Sequence, residues 1–316
     1  MFALLCPGQG SQTPGMLTPW LEDPAAADLI AEWSEAADID LAAHGTTSGA
    51  DTIRDTSIAQ PLIVATSLVA YHAAADAVPA LRTEGRQSTS PTLDVAGHSV
   101  GEFTAAAIAG VFTPAEAVAL VAERGRAMAA CAAAEATGMS AVIGGEPDVV
   151  LAAIHAADLV PANINGAGQV VAAGLVTALA RLEADPPAGA RVRRLDVAGA
   201  FHTPFMDGAQ LRLSRAVAAL GSRPRTWAAI PVLSCRDGQP IGDLTRIVTR
   251  MVDQVTRPVR WDQIMHSIKS IGLRVAIELA PAGVLTGLIR REMPGMARVK
   301  VNGPGDLTQL AEAVAA

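Results

Sequence analysis

The chain is 316 residues long, 50% hydrophobic and 17% charged, with a formal net charge of −7. That composition excludes a disordered or fibrous chain and provides a sizeable core, in one large domain or one domain carrying an insertion. The acidic balance excludes a general nucleic-acid binder, and an acidic protein partner would need a local basic patch. Cys6, Cys131 and Cys235 are widely spaced, odd in number and without a Cys-x-x-Cys pair. They predict neither a disulfide framework nor a zinc site, and no metal is expected. They suit a reducing cytoplasm.

In chain order, residues 2–6 predict a buried strand, because no basic region precedes the apolar run as it would in a signal peptide. Pro7-Gly8-Gln9-Gly10-Ser11-Gln12 follows, a turn that lacks the Gly-Lys-Ser/Thr ending of a phosphate-binding loop. Such a turn can still aim backbone N–H groups at a ligand. Residues 24–37 predict a helix. Pro61 suits a first helical turn, which puts Gln60 at a helix start. The uncharged stretch 61–75 is too short and too interrupted to span a membrane. Residues 83–91 form a polar loop, and residues 92–96 a buried strand.

Gly97-His98-Ser99-Val100-Gly101-Glu102 then joins that strand to an alanine-rich helix over residues 103–109. A Gly-x-Ser-x-Gly in this position is the nucleophile-elbow pattern, in which a sharp turn lifts the serine hydroxyl toward a cleft. Thr113-Pro114-Ala115-Glu116 is a capping box with proline at the first helical position. In the helix it starts, Arg124 falls four residues after Leu120 and three after Val121, on their apolar face. A guanidinium there must meet an anion, in a structural salt bridge or on a bound substrate carboxylate, unless its stem snorkels to water.

Residues 140–143, 148–157, 159–164, 169–173, 175–184 and 192–197 read β-α-β-β-α-β, the ferredoxin-like order. They predict a small subdomain, residues 131–198, inserted into a large α/β catalytic subdomain of residues 1–130 and 199–316. A loop, Gly199-Ala200-Phe201-His202-Thr203-Pro204, leads into a helix over residues 205–220. Among six histidines, His202 and His266 are the candidate bases. The remaining third predicts strands at 230–234, 274–279 and 297–301 and helices at 243–255, 262–271 and 283–291. Its continuous apolar strands indicate a parallel sheet covered on both faces.

The loop 7–12, Gln60-Pro61, Gly97 to Glu102, Glu123-Arg124-Gly125, Asn163-Ile164-Asn165 with Gly168-Gln169-Val170-Val171, Gly199 to His202, and Pro258-Val259-Arg260-Trp261 occur together and in order. In these motifs the chain closely resembles the malonyl-CoA:acyl carrier protein transacylases of type II fatty acid synthesis, actinobacterial examples most of all. It also resembles the acyltransferase domains of polyketide synthases. The likeness runs from residue 2 to about 305.

The resemblance implies an α/β-hydrolase-like large subdomain carrying the ferredoxin-like one. It implies Ser99 as nucleophile and His202 as general base, oriented by the backbone carbonyl of Gln254. It implies an oxyanion hole from the backbone N–H groups of Gln9 and Val100. Arg124, with Gln60 nearby, would bind the malonyl carboxylate, and Phe201 would fill the space an α-methyl branch needs. The substrates would be malonyl-CoA and the phosphopantetheine thiol of acyl carrier protein, with no permanently bound cofactor, in a cytoplasmic monomer with no nucleic-acid or membrane partner. Arg191, Arg193, Arg194, Arg212 and Arg215 are candidate docking residues for an acidic carrier, or ordinary surface charge. Three alternatives stand beside this: a serine hydrolase or thioesterase using His266 with Asp237 or Asp243, a discrete acyltransferase of a polyketide pathway, and a non-enzymatic carrier-binding scaffold.

Overall fold

The computed structural model describes residues 1–83, 93–221 and 226–316. The polar loop expected over 83–91 lies outside them except for Thr83, as does Thr92. Among the described residues the strands are β1 (Phe2–Cys6), β2 (Leu93–Gly97), β3 (Thr137–Gly144), β4 (Val160–Gly166), β5 (Gln169–Leu175), β6 (Ala190–Arg194), β7 (Trp227–Leu233), β8 (Pro240–Asp243), β9 (Val259–Arg260), β10 (Val275–Leu279) and β11 (Ala297–Val301). They form two sheets, in the orders β11-β10-β1-β2-β7-β8 and β6-β3-β5-β4-β9. The fold is a mixed α/β one.

The first sheet is parallel except for β8, which runs antiparallel to β7 at the edge. Leu4 and Cys6 of β1 face one apolar layer while Ala3 and Leu5 face another. Both faces of the strand are covered, which is why β1 carries no polar alternation. The loops that follow β1 and β2 leave the carboxyl ends of two neighbouring strands, where α/β sheets bind ligands.

In the second sheet β3, β4, β5 and β6 pair antiparallel. Val150, Ile154, Leu179 and Leu182, from its two helices Pro147–Ala156 and Val176–Ala184, pack with Val142 and Val170 into a third apolar cluster. The two-residue β9 adds to β4 in parallel, Asn163 opposite Val259 and Ile164 opposite Arg260. The Pro258-Val259-Arg260-Trp261 stretch, for which the sequence predicts no strand, thus joins the second sheet to the chain that follows Gln254.

The long core helix is Thr56–Ala77, and it begins earlier than Pro61 suggested. Asp55 caps it, accepting from the Ser57 N–H at 2.8 Å. Pro61 sits inside, near enough to the N-terminus to remove only one early backbone bond. Gln60 is therefore a buried residue of the second turn, not a surface residue at the start. By length and composition this 22-residue helix could cross a membrane, but 78% of its apolar window is buried within the protein. It packs along Pro114–Ala134, whose capping box forms as expected, Thr113 accepting from Glu116 N–H at 3.2 Å and Glu116 from Thr113 N–H at 2.8 Å. Short or unpatterned elements were not legible in the sequence: β8, β9 and the helices Leu41–Thr46, Ala50–Arg54 and Leu307–Ala315.

The elbow is held by close backbone packing. A Cβ on Gly97 would overlap the backbone of Gly101 and Glu102, and one on Gly101 would overlap the Cys6 carbonyl at the end of β1. No side chain there can swing aside, so the neighbouring backbone would have to move. Gly101→Ala is expected to destabilise the protein by about 2 kcal/mol or more. Urea denaturation checks this, and an unchanged midpoint would contradict the packing described.

Candidate active site

Ser99 lies between the end of β2 and the helix Gly101–Ile108 with φ 53°, and His202, in the loop after Gly199, has φ 62°. Both are non-glycine residues in the left-handed region, a conformation that costs about 1–3 kcal/mol and clusters at functional sites. Ser99 Oγ and His202 Nε2 are 2.8 Å apart. His202 Nδ1 lies 2.8 Å from the Gln254 carbonyl oxygen. A carbonyl only accepts, so Nδ1 carries the proton and Nε2 is left to accept from the serine. Burial, then the nearby Arg124 cation, push the His202 imidazole down to about 3. It is neutral at physiological pH and free to take a proton.

Arg124 is fully buried, on the apolar face of its helix as the spacing predicted. Nη1 donates to Gln60 Oε1 at 2.6 Å and Nη2 to Gln254 Oε1 at 3.1 Å. Nη2 also lies 3.4 Å from Ser99 Oγ, and Nε has no protein partner among the described residues. The Phe103 ring sits under the guanidinium, 5.9 Å from centroid to Cζ. Two neutral carboxamides hold the cation, and among the described residues no carboxylate makes an ion pair with it. Burial lowers Arg124 to about 10, which leaves it charged at neutral pH.

Beneath this pair is a second buried ionisable group, Glu102. One carboxylate oxygen accepts from Cys235 N–H at 2.9 Å, and the other accepts from Gln254 Nε2. Gln254 Nε2 also donates to the Ser99 carbonyl at 3.1 Å. Burial raises the Glu102 carboxyl to about 7, against the pull of these bonds and of Arg124. Beside the serine, His98 Nε2 lies 3.0 Å from Asn165 Oδ1, and its ring packs against Trp261 at 5.6 Å. His98 thus bonds to Asn165 rather than to Ser99, and it lines the same cavity as Ser99 and His202.

Gln9, Gln60, Ser99, Arg124, Phe201 and His202 line one narrow cavity of about 80 Å³, with Met128, Met139, Val171, Leu195 and Val197 as its apolar wall. Neither the Gln9 nor the Val100 backbone N–H donates to another protein group among the described residues. Asn163, on the cavity wall, has a buried Oδ1 without a partner among the described residues. The residues of the alternative hydrolase scheme are not assembled. His266 is exposed on the helix Trp261–Ile271, Asp237 pairs with Arg250 at 2.6 Å, and Asp243 caps the helix Leu244–Asp253. Of the basic residues, Arg212 pairs with Glu123 at 2.8 Å and Arg194 with Glu183 at 3.5 Å, while Arg191, Arg193 and Arg215 are exposed.

Sequence reasoning missed two participants, Glu102 and the Gln254 side chain. Glu102 carries a weak signal, since an acid in a first helical turn usually faces solvent and complements the dipole. Gln254 stands in no motif, and only the three-dimensional arrangement brings it to Ser99 and Arg124.

The acyl transferase domain family model matches residues 3–303. The malonyl CoA-acyl carrier protein transacylase of Mycobacterium tuberculosis is 49% identical over 313 residues, 98% of this chain and 99% of that protein. Its counterpart from Escherichia coli is 32% identical over 98% of this chain and 99% of its own length. A crystal structure of the transacylase from Mycobacterium tuberculosis superposes with a TM-score of 0.90 at 48% identity, covering 98% of this chain and 99% of that one. A type II PKS acyl-carrier protein in complex with its malonyl-transacylase gives 0.85 at 30% identity, covering 99% of both chains. With the family model spanning nearly its whole length, the chain belongs to the acyl transferase domain family.

Proposed function

We propose that the chain transfers the malonyl group from malonyl-CoA to the phosphopantetheine thiol of an acyl carrier protein, through a malonyl ester on Ser99. The observation that carries this reading is Arg124, a buried cation in no ion pair among the described residues, 3.4 Å from the hydroxyl that His202 can deprotonate. A short acyl chain ending in a carboxylate supplies the missing anion while its thioester carbonyl reaches Ser99.

His202 Nε2 takes the Ser99 proton as Oγ attacks the thioester carbonyl. The oxyanion accepts from the Gln9 and Val100 N–H groups, which have no other partner among the described residues. Collapse expels the CoA thiolate, and His202 returns the proton to it. The carrier thiol then gives its proton to His202 and attacks the ester carbonyl, and collapse releases Ser99 with that proton. The Gln254 carbonyl holds the imidazole in one tautomer through both halves, so no acid is needed at Nδ1. The malonyl carboxylate on Arg124 separates this acyl group from acetyl, which would leave the guanidinium unpaired.

Within this reading the first sheet and its helices, residues 1–130 and 199–316, form an α/β-hydrolase-like catalytic part. Residues 131–198 form an inserted ferredoxin-like part. Its β-α-β-β-α-β order and its β6-β3-β5-β4 strand order support that division. The complex of a related malonyl-transacylase with its carrier supports the partner. Exposed Arg191, Arg193 and Arg215 are better placed than ion-paired Arg212 and Arg194 to meet an acidic surface. The reading is that of a cytoplasmic enzyme without a resident cofactor.

Three measurements check these roles. Arg124→Ala is expected to lower kcat/KM for malonyl-CoA by about 10²-fold or more while acetyl-CoA gains relative to it. An unchanged malonyl-to-acetyl ratio would remove Arg124 from the site. Phe201→Ser is expected to raise the methylmalonyl-to-malonyl ratio by about tenfold, read in competition, since one methyl in an apolar pocket is worth that order. The third reads His202 through stability. The folded chain keeps its imidazole neutral down to about pH 3, whereas an ordinary histidine takes a proton below 6.5. Unfolding therefore takes up a proton between these values, and the stability tied to His202 falls as pH drops below 6.5. The Tm gap between wild type and His202→Gln should shift in the variant's favour from pH 7 to 5. A gap constant with pH would mean that His202 takes its proton at the same pH in the folded and the unfolded chain.

A further inference from the structure

We propose that Glu102 is a positioning residue: by accepting from the Gln254 carboxamide it fixes which end of that amide faces Arg124, and so holds the guanidinium beside Ser99. The inference rests on the reading of Arg124 as the malonyl-binding group, and it adds what keeps that group in place.

Gln254 has one acceptor end and one donor end, and three groups surround it. Arg124 Nη2, 3.1 Å from Oε1, can only donate. The Ser99 carbonyl, 3.1 Å from Nε2, can only accept. The Glu102 carboxylate, the other neighbour of Nε2, can only accept when ionised. Only one orientation of the amide satisfies all three. The reversed one would set NH2 against the guanidinium and Oε1 against two oxygens. Glu102 is itself fixed, because its other oxygen accepts from Cys235 N–H at 2.9 Å, just beyond the end of β7, and it stands in the first turn of the elbow helix. The backbone of the same Gln254 bears the carbonyl that orients His202. One buried carboxylate thus ties the next strand of the sheet, the elbow and the carboxylate clamp into a single arrangement, without touching substrate.

Glu102→Gln has nearly the same shape but offers one oxygen and one NH2 to two donors. Either Cys235 N–H or Gln254 Nε2 then faces a donor, and the Gln254 amide gains a reason to turn over. Acetyl transfer does not use the clamp, whereas malonyl transfer does. A role in folding alone would lower both alike.

The test is steady-state transfer by the full chain from malonyl-CoA and from acetyl-CoA, for wild type, Glu102→Gln, Glu102→Asp, Gln254→Met and the Glu102→Gln/Gln254→Met double variant. The malonyl-to-acetyl ratio of kcat/KM is expected to fall about tenfold or more in Glu102→Gln, mainly through KM for malonyl-CoA, and to recover in part in Glu102→Asp. Gln254→Met, which keeps the backbone carbonyl, should lose the ratio to a similar degree, and the double variant should lose no more than Gln254→Met. An unchanged ratio in Glu102→Gln, or equal losses for both substrates, would overturn the proposal. If Glu102→Gln does not fold, an unchanged ratio in Gln254→Met overturns it instead. Arg124→Ala run alongside separates the two levels: if it too keeps the ratio, the reading of the clamp fails, and if only the Glu102 and Gln254 variants keep it, the positioning role alone fails.

Discussion

Arg124 is stripped of water inside the protein and given two glutamine carboxamides where a structural arginine would have a carboxylate. Carboxamides satisfy a guanidinium's hydrogen bonds but leave its charge, which the nearby Glu102 offsets without pairing with it, and a buried charge in no ion pair is costly. That unpaired charge organises the site. After burial, it is the next cause that pushes the neighbouring His202 down, and it lies against the serine hydroxyl. In the proposed function, a carboxylate-bearing acyl group both relieves the charge and arrives at Ser99, so that selection of the acyl group and its activation are two effects of one cation.

The rest of the fold can be read as the means of holding that cation and the Ser99–His202 pair in register. The parallel sheet delivers Ser99 from β2, with β1 packed so closely against the elbow that only glycine fits. Two long helices that pack along each other bring Gln60 and Arg124 together. Gln254 is where the parts meet, its carbonyl on His202 and its side chain between Arg124, Ser99 and Glu102. Shortly after it, β9 joins the second sheet at β4, so a wall of the cavity is anchored to the segment that orients the base.

Much of this was legible in the sequence, for physical reasons that differ by residue. Ser99 announces itself because the elbow needs glycines at fixed offsets, and those offsets survive as a pattern. Arg124 stands out because a charge on an apolar helical face breaks the 3.6-residue periodicity that surrounds it. The parallel sheet shows as continuous apolar runs. His202 was one of two candidate bases on local grounds, and only its bond to Ser99, against the exposure of His266, separates them. Pro61 misled because a proline in a second helical turn looks, in sequence, like one in the first. Glu102 and the Gln254 side chain were invisible, since a buried carboxylate and a solvated one in a first helical turn have the same local sequence. Their roles come from long-range contacts, 133 and 152 residues apart in the chain, that no local pattern encodes.

The central claim is that the acyl group rests on Ser99 between two thiols, and one measurement meets it most directly. The full chain is mixed with malonyl-CoA in the absence of carrier protein, quenched in acid and analysed by intact mass and peptide mapping, with Ser99→Ala treated in the same way. The account predicts a single malonyl adduct on the Ser99 peptide, absent in Ser99→Ala and discharged on adding carrier protein with its phosphopantetheine thiol. No adduct, an adduct that persists in Ser99→Ala, or one that water removes as fast as the thiol does would contradict it.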